Sequence, residues 1–349
     1  MLLLLLLQLQ AVATAVADAK VEKAPVEQAP VEPAQVEPDS ARPLLKPWYR
    51  LATTPEGMLL EHGRSTVSFG GAAAVRLLPL LLPLLDGKQT VEEIVTIIGP
   101  SARAAVENAL ALLARHGLLT EGPPPAEELP VDLRRTAAYL AQGSRDSPRL
   151  VAERLSSARV LLEGDEELVA AVARLLRRSG VARSRPSEEP SFVAAAAAVA
   201  GDPLLEHRNA LALESGPAWL PFGCFDGRSA TIGPLIVPRE TACYHCLVLR
   251  RDASTSCRAE LASLRSVPLR AAVAPALLAL VAALAAERIV RWLGIRDPAL
   301  PGTVVTVEVT PELVVSNDHL LRVPRCPACS GLAEVGAPVP WHEARWEEA

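Results

Sequence analysis

Arg159-Val160-Leu161-Leu162-Glu163-Gly164-Asp165-Glu166-Glu167 runs from a strand straight into a helix, and this junction decides the fold. The apolar run ends on a glycine, and residues 166–179 carry a helical pattern closed by Gly180. Working outward, residues 192–199 read as a second buried strand, 203–212 as a helix and 217–222 as a short strand. Residues 229–237 form a further extended run. A long Ala-rich helical stretch, 267–292, is interrupted at Pro275, and residues 303–310 and 313–316 alternate as late antiparallel strands. Strand–helix alternation followed by antiparallel strands predicts an α/β sheet.

The same junction limits the chemistry. A sheet of this kind holds phosphate on a Gly-x-Gly-x-x-Gly turn, whose bare backbone lets amides approach the ligand. Here one glycine remains among Glu163, Asp165, Glu166 and Glu167, which repel a polyphosphate, and the chain has no Walker lysine motif. Arg208 and Asn209, after the second strand, read either as remnants of an ATP-contacting pair or as a pair on a helix surface. The surface pair is the expectation, and with it no ATP on this chain.

Cys243-Tyr244-His245-Cys246 and Cys326-Pro327-Ala328-Cys329 are the most specific short signal. Each Cys-x-x-Cys aims two thiolates at one point, and two such knuckles complete the tetrahedral set of a structural zinc site. The plainer alternative is buried or disulfide-bonded cysteines. The twinned spacing favours zinc on Cys243, Cys246, Cys326 and Cys329, in a closed site that would pin the C-terminal segment onto a turn about eighty residues earlier. His245, between two ligands, is expected to face solvent or a partner. Cys224 and Cys257 read as ordinary semi-buried thiols of a reducing compartment, and Cys257 is also a candidate neighbour of the metal.

The chain has 349 residues, half of them hydrophobic, with only 3% aromatic. That length holds two domains, and Ala, Leu and Val must fill their cores. A formal net charge of −5 gives no sign of a nucleic-acid partner. The pairs Arg177-Arg178 and Arg250-Arg251 read as solvated helix faces. Met1 is followed by six leucines, too short a run to span a bilayer, and then by degenerate Val-Glu pentads rich in Pro that predict an extended tether. A signal, an anchor and a mis-assigned start all fit this beginning. Zinc–thiolate chemistry favours the cytoplasm.

Between residues 44 and 122 the pattern changes. Residues 48–53, 58–62 and 65–69 read as three short strands, 72–85 as an apolar helix broken by Pro79 and Pro83, and residues after Thr90 and Ser101 as two capped helices. Leu118-Leu119-Thr120 reads as a final strand or wing. Three strands and three helices predict a winged helix-turn-helix module. Most such modules bind DNA, but Arg103 and Arg115 stand against Glu107 in the third helix, too little charge for phosphate contacts. An uncovered strand edge beside a helix instead suits capture of an extended peptide.

Gly233-Pro234-Leu235-Ile236-Val237-Pro238-Arg239, then Thr241-Ala242-Cys243-Tyr244-His245-Cys246-Leu247 and Arg250-Arg251, with the terminal Cys326-Pro327-Ala328-Cys329, resemble the ThiF-like partner proteins of YcaO cyclodehydratases. These are relatives of ubiquitin-activating enzymes that serve azole-forming (TOMM) peptide biosynthesis. The resemblance covers about residues 44–332. It implies an N-terminal leader-peptide recognition element at 44–122, a linker and helix at 123–158, a degenerate ThiF-like Rossmann-type α/β domain with the zinc knuckles at 159–332, and a tail at 333–349, after the extension at 1–43. It further implies that the precursor leader adds as a strand along Ser65, Thr66, Val67, Ser68 and Phe69, facing Ala105, Asn108 and Leu112. The four knuckle cysteines carry over as zinc ligands, the glycine-rich ATP turn does not, and a separate YcaO-type partner would consume the ATP. The implied role is a non-catalytic, peptide-presenting subunit, and a homodimer stays open. The alternatives are an adenylating enzyme that activates a peptide carboxylate, and a transcription factor with a zinc-stabilised sensor domain.

Overall fold

The structure, a computed structural model, describes residues 41–46, 50–62, 65–144, 146–185, 187–254, 273–309 and 312–330. The leucine-rich start, the pentads, Trp48, Tyr49, the 63–64 connection, Cys257 and the tail lie outside the described residues. The chain divides into two compact units at Arg154 and Leu155.

In the first unit, β2 (Arg50–Thr54), β3 (Gly57–His62) and β4 (Ser65–Gly70) form an antiparallel sheet in the order β2-β3-β4. Helices α1 (Ala72–Leu81), α2 (Val91–Ile98) and α3 (Arg103–Arg115) complete the core with them. The apolar stretch is segmented: Pro79 lies inside α1, and Pro83, whose nitrogen cannot donate to the preceding turn, falls in a separate 3-10 turn over Leu82–Leu84. Thr90 caps α2 in a full capping box with Glu93. The segment expected as a final strand or wing is the strand β5 (Leu119–Glu121), which pairs antiparallel with β1 (Pro43–Leu45). Helix α4 (Val131–Ala141) follows, and α5 (Pro148–Ser157) leads to the unit boundary.

The second unit is built on a seven-stranded sheet in the order β12-β11-β10-β9-β8-β6-β7. Strands β6 (Arg159–Gly164), β7 (Ala182–Arg183), β8 (Phe192–Val199) and β9 (Trp219–Phe225) run parallel. Strands β10 (Ser229–Ile232), β11 (Thr303–Glu308) and β12 (Val314–His319) extend it antiparallel. Strand β8, Phe-Val-Ala-Ala-Ala-Ala-Ala-Val, is buried over its first six residues, as a central strand covered on both faces requires. Helix α6 (Glu166–Arg178) places Leu168, Val172 and Leu176 on its buried stripe, with Asp165 as its cap, acids in its first turn and arginines in its last.

Helix α7 (Pro203–Ser215) connects β8 to β9, and α8 (Tyr244–Ala253) opens at the first knuckle. Of the Ala-rich stretch, residues 267–272 lie outside the described residues, and Pro275 opens α9 (Pro275–Ile295), occupying its first turn, where its missing N–H costs nothing. Among the described residues, no helix is long and apolar enough to cross a membrane.

Arg288 of α9 is buried, and its guanidinium donates to the Leu300 and Thr303 carbonyls, fixing the loop that feeds β11. Replacing it with leucine removes these charge-assisted bonds, leaving the Leu300 carbonyl to the Thr303 N–H and hydroxyl and the Thr303 carbonyl to the Leu235 N–H alone. Arg288→Leu is therefore expected to cost about 2–3 kcal/mol in urea unfolding followed by circular dichroism. A change under about 0.5 kcal/mol would show that the loop does not depend on these bonds.

Candidate metal centre and peptide-binding edge

The four knuckle cysteines meet at one point. Cys243 is the N-cap of α8, Cys246 lies in its first turn, and Cys326 and Cys329 come from the loop after β12. Sγ–Sγ separations are 3.8 Å for Cys243–Cys246, 3.8 Å for Cys243–Cys326 and 3.6 Å for Cys246–Cys329, and all four sulfurs lie within 4.8 Å of one another. A disulfide would need about 2.05 Å. A zinc with bonds of about 2.3 Å sets its four sulfurs about 3.8 Å apart, so the spacing fits a tetrahedral four-thiolate site. Cys243, Cys246 and Cys326 are buried and Cys329 half-buried, among Ala242, Leu213, Leu249, Leu320 and Val323. Burial pushes the Cys243 thiol well above its ordinary range, which a bound cation would reverse.

Several bonds hold the two knuckles in place without a metal. The Val323 N–H donates to Cys246 Sγ (3.4 Å), and Arg322 donates to the carbonyls of Arg239 (3.0 Å) and Cys329 (2.8 Å). Arg250 Nε donates to the Leu321 carbonyl (2.9 Å), joining α8 to the second knuckle. Asn209 is a residue whose role the sequence hides. It is 2% exposed, and its Oδ1 accepts the Tyr244 N–H (2.9 Å), so α7 anchors the first turn of α8 beside the cluster. His245 is not part of the cluster; its Nδ1 lies 3.3 Å from the Glu206 carboxylate. Cys224 is fully buried in β9, where burial pushes its thiol up to about 11, so it stays protonated and inert at neutral pH.

The expected surface pair, Arg208 and Asn209, is therefore not on the surface. Arg208 forms a two-pronged ion pair with Glu163 at the end of β6, with Nε–Oε1 and Nη2–Oε2 both 2.5 Å and both side chains at or below 20% exposure. This pair sits at the carboxyl ends of the parallel strands, where sheets of this class take ligands. The neighbouring helix N-termini are also occupied from within the chain. Asp165 Oδ1 accepts the Leu168 N–H of α6 (3.0 Å), and Asp202 Oδ1 accepts the Leu204 N–H of α7 (2.9 Å). Gly164 is needed here for its backbone: φ is +99°, and an added Cβ would lie 1.9 Å from the Ala196 carbonyl oxygen. The remaining glycine thus serves strand packing against β8.

In the first unit, β4 is an edge strand. The Gly71 N–H donates to the Glu56 carbonyl (3.1 Å), and the register pairs Met58 with Phe69 and Leu60 with Val67. The two-residue period of an antiparallel ladder then directs the amides of Ser65, Val67 and Phe69 to β3 and those of Thr66 and Ser68 to the open edge. Side chains alternate likewise: Thr66 and Ser68 are exposed, Val67 is half-buried and Phe69 is buried. Phe69 meets the His116 ring edge-on at 5.9 Å, at the C-terminus of α3. On α3, Asn108 is exposed and Leu112 half-buried. Ala105, expected to face a peptide, is 6% exposed and belongs to the core stripe with Val106 and Leu113, so its side chain offers no surface. Arg103, at the start of α3, is claimed by Glu92 (2.5 Å) and Glu107 (3.5 Å).

No protein-family model matches the sequence, and no curated protein matches it. Solved structures do. The chain is similar to the heterocyclase TruD, with 26% identity and a TM-score of 0.65 over 83% of this chain and 43% of that one. A heterocyclase solved in complex with substrate and cofactor matches at 24% identity and a TM-score of 0.63 over 83% and 40%. MccB of E. coli matches in fold, with 16% identity and a TM-score of 0.61 over 82% of this chain and 96% of that one, and has also been solved with MccA and with ATP. The chain thus spans less than half the length of the heterocyclases and nearly the whole of MccB.

The sulfur geometry predicts about one zinc per purified chain by elemental analysis. Cys326→Ser should drop this well below one and lower the melting temperature, because the linkage between α8 and the segment after β12 is lost. Full zinc content in Cys326→Ser and Cys243→Ser alike would show that the cluster is not the metal site.

Proposed function

We propose that this chain captures the leader of a ribosomally made precursor peptide along β4 and presents the peptide to a separate YcaO-type cyclodehydratase. That partner performs the ATP-dependent formation of azolines. The first unit is a winged helix-turn-helix recognition element, the second a degenerate ThiF-like domain, and a structural zinc on Cys243, Cys246, Cys326 and Cys329 closes the latter. Support comes foremost from the likeness to the heterocyclase TruD, which extends across 83% of this chain and 43% of that one.

The open edge of β4 supports capture by strand addition. Thr66 and Ser68 present backbone groups to an incoming strand, while Asn108 and Leu112 give α3 a polar and an apolar contact for its side chains. The carboxylate-paired Arg103 counts against DNA as the partner. An adenylating role would need a polyphosphate beside Glu163, Asp165 and Asp202, all already bonded within the chain and all of the wrong charge.

The test is binding of a fluorescent leader, from a precursor encoded next to this chain, measured by anisotropy on the full protein. Saturable binding in the micromolar range or tighter is expected. Ser68→Pro removes an N–H that faces the open edge and leaves the β3–β4 ladder intact, so it should weaken binding by about tenfold or more without unfolding the protein. Val67→Pro breaks the ladder itself and serves as the control for misfolding. Undiminished binding by a folded Ser68→Pro variant would exclude strand addition at β4.

A further inference from the structure

A cavity of about 480 Å³ lies at the other end of the large sheet, between β6, α6 and the short edge strand β7. Its wall includes the aliphatic side chains of Val160, Leu162 and Leu176 and three arginines, Arg174, Arg177 and Arg183, with no carboxylate among the lining residues. Arg174 and Arg177 are one turn apart on α6 and share a face. Arg183 approaches from β7, held by a bond from Nη2 to the Leu162 carbonyl (3.0 Å). The cavity is lined by the second half of α6, away from the Glu163–Arg208 pair and the capped helix N-termini.

Other arginines of this unit are satisfied either by carbonyls, as Arg239, Arg250, Arg288 and Arg322 are, or by carboxylates. Arg208 is paired with Glu163, Arg228 with Glu308, Arg159 with Glu188, and Arg291 with Glu287 and Asp297. Arg174 and Arg177 have no hydrogen-bond or ion-pair partner among the described residues. The helix dipole accounts for an arginine in the last turn of α6, but not for a third one on a strand facing the same space. Three exposed guanidiniums around one cavity repel one another and set a positive potential over it. An anion there relieves that repulsion, and the guanidinium fork matches the oxygens of a carboxylate or phosphate.

The volume narrows the class. Water occupies roughly 30 Å³ per molecule, so a bare oxyanion leaves most of this cavity unfilled. The aliphatic wall suits an apolar body attached to the anionic group. We propose that this cavity binds a small organic anion, a phosphate monoester or carboxylate carrying an aromatic or aliphatic group, gripped by Arg174, Arg177 and Arg183. The site is independent of the peptide-binding edge and of the cysteine cluster, and stands or falls apart from them.

Isothermal titration of the full protein with phenyl phosphate, benzoate and inorganic phosphate tests this. At least one aryl anion should saturate at a submillimolar dissociation constant, about tenfold tighter than inorganic phosphate because its ring is buried. The difference between phenyl phosphate and benzoate reads out which oxyanion the site prefers. The double variant Arg174→Gln/Arg177→Gln should weaken that binding about thirtyfold or more while leaving the ligand-free melting temperature unchanged. Three results would overturn the proposal: no saturation by either aryl anion, inorganic phosphate binding as tightly as both (an adventitious ion only), or full binding by the double variant. Binding of polyglutamate in place of the aryl anions would equally reject it, assigning the arginines to an acidic protein surface.

Discussion

Four sulfurs drawn to one point, from segments 83 residues apart, set the constraint on which the second unit depends. Between Cys243 and Cys326 the chain makes α8, α9, β11 and β12, so closing the cluster closes the two outer antiparallel strands, β11 and β12, into one loop. Thiols at this spacing and burial cannot all ionise without a cation, and cannot form a disulfide without collapsing the tetrahedron. The supporting bonds from Asn209, Arg250 and Arg322 hold the knuckles in register, so the donor set is preorganised. The four cysteines suffice for a tetrahedral set, and His245 is turned to Glu206, outside it.

The fold of the second unit could be read from its sequence where local chemistry decides. Asp165 as a cap, the stripe of Leu168, Val172 and Leu176, and the unbroken apolar run of β8 each state their structure within a few residues. The knuckles were equally plain because their spacing is itself the geometry. What stayed hidden is non-local. Arg208 finds Glu163 across 45 residues, and Asn209 finds the Tyr244 amide across 35; neither partner is visible from the helix that carries the pair. Strand β7 is two residues long, too short to leave a pattern. In the first unit Ala105 lies on the buried stripe of its helix with Val106 and Leu113, a placement that alanine, which fits either face, does not announce by itself. The pairing of β1 with β5 joins residues about 75 apart and left no sign in either strand.

The crevice at the carboxyl ends of β6 and β8 ties fold to function. A protein that used a nucleotide there would leave helix N-termini open and keep the turn after β6 free of acids. This chain caps both helices with its own aspartates and fills the space between them with an ion pair. The crevice is here tied up internally, in keeping with the peptide-presenting role proposed above.

The most direct measurement of that claim is heterocyclisation reconstituted from the precursor peptide, ATP, the YcaO-type protein encoded with it and this chain, with water loss from the peptide followed by mass spectrometry and pyrophosphate exchange measured in parallel. The account predicts rapid water loss only when both proteins are present, and no peptide-dependent pyrophosphate exchange by this chain alone. Exchange catalysed by this chain in the absence of the second protein would contradict it, and would make the crevice beside Glu163 and Arg208 an adenylating site after all.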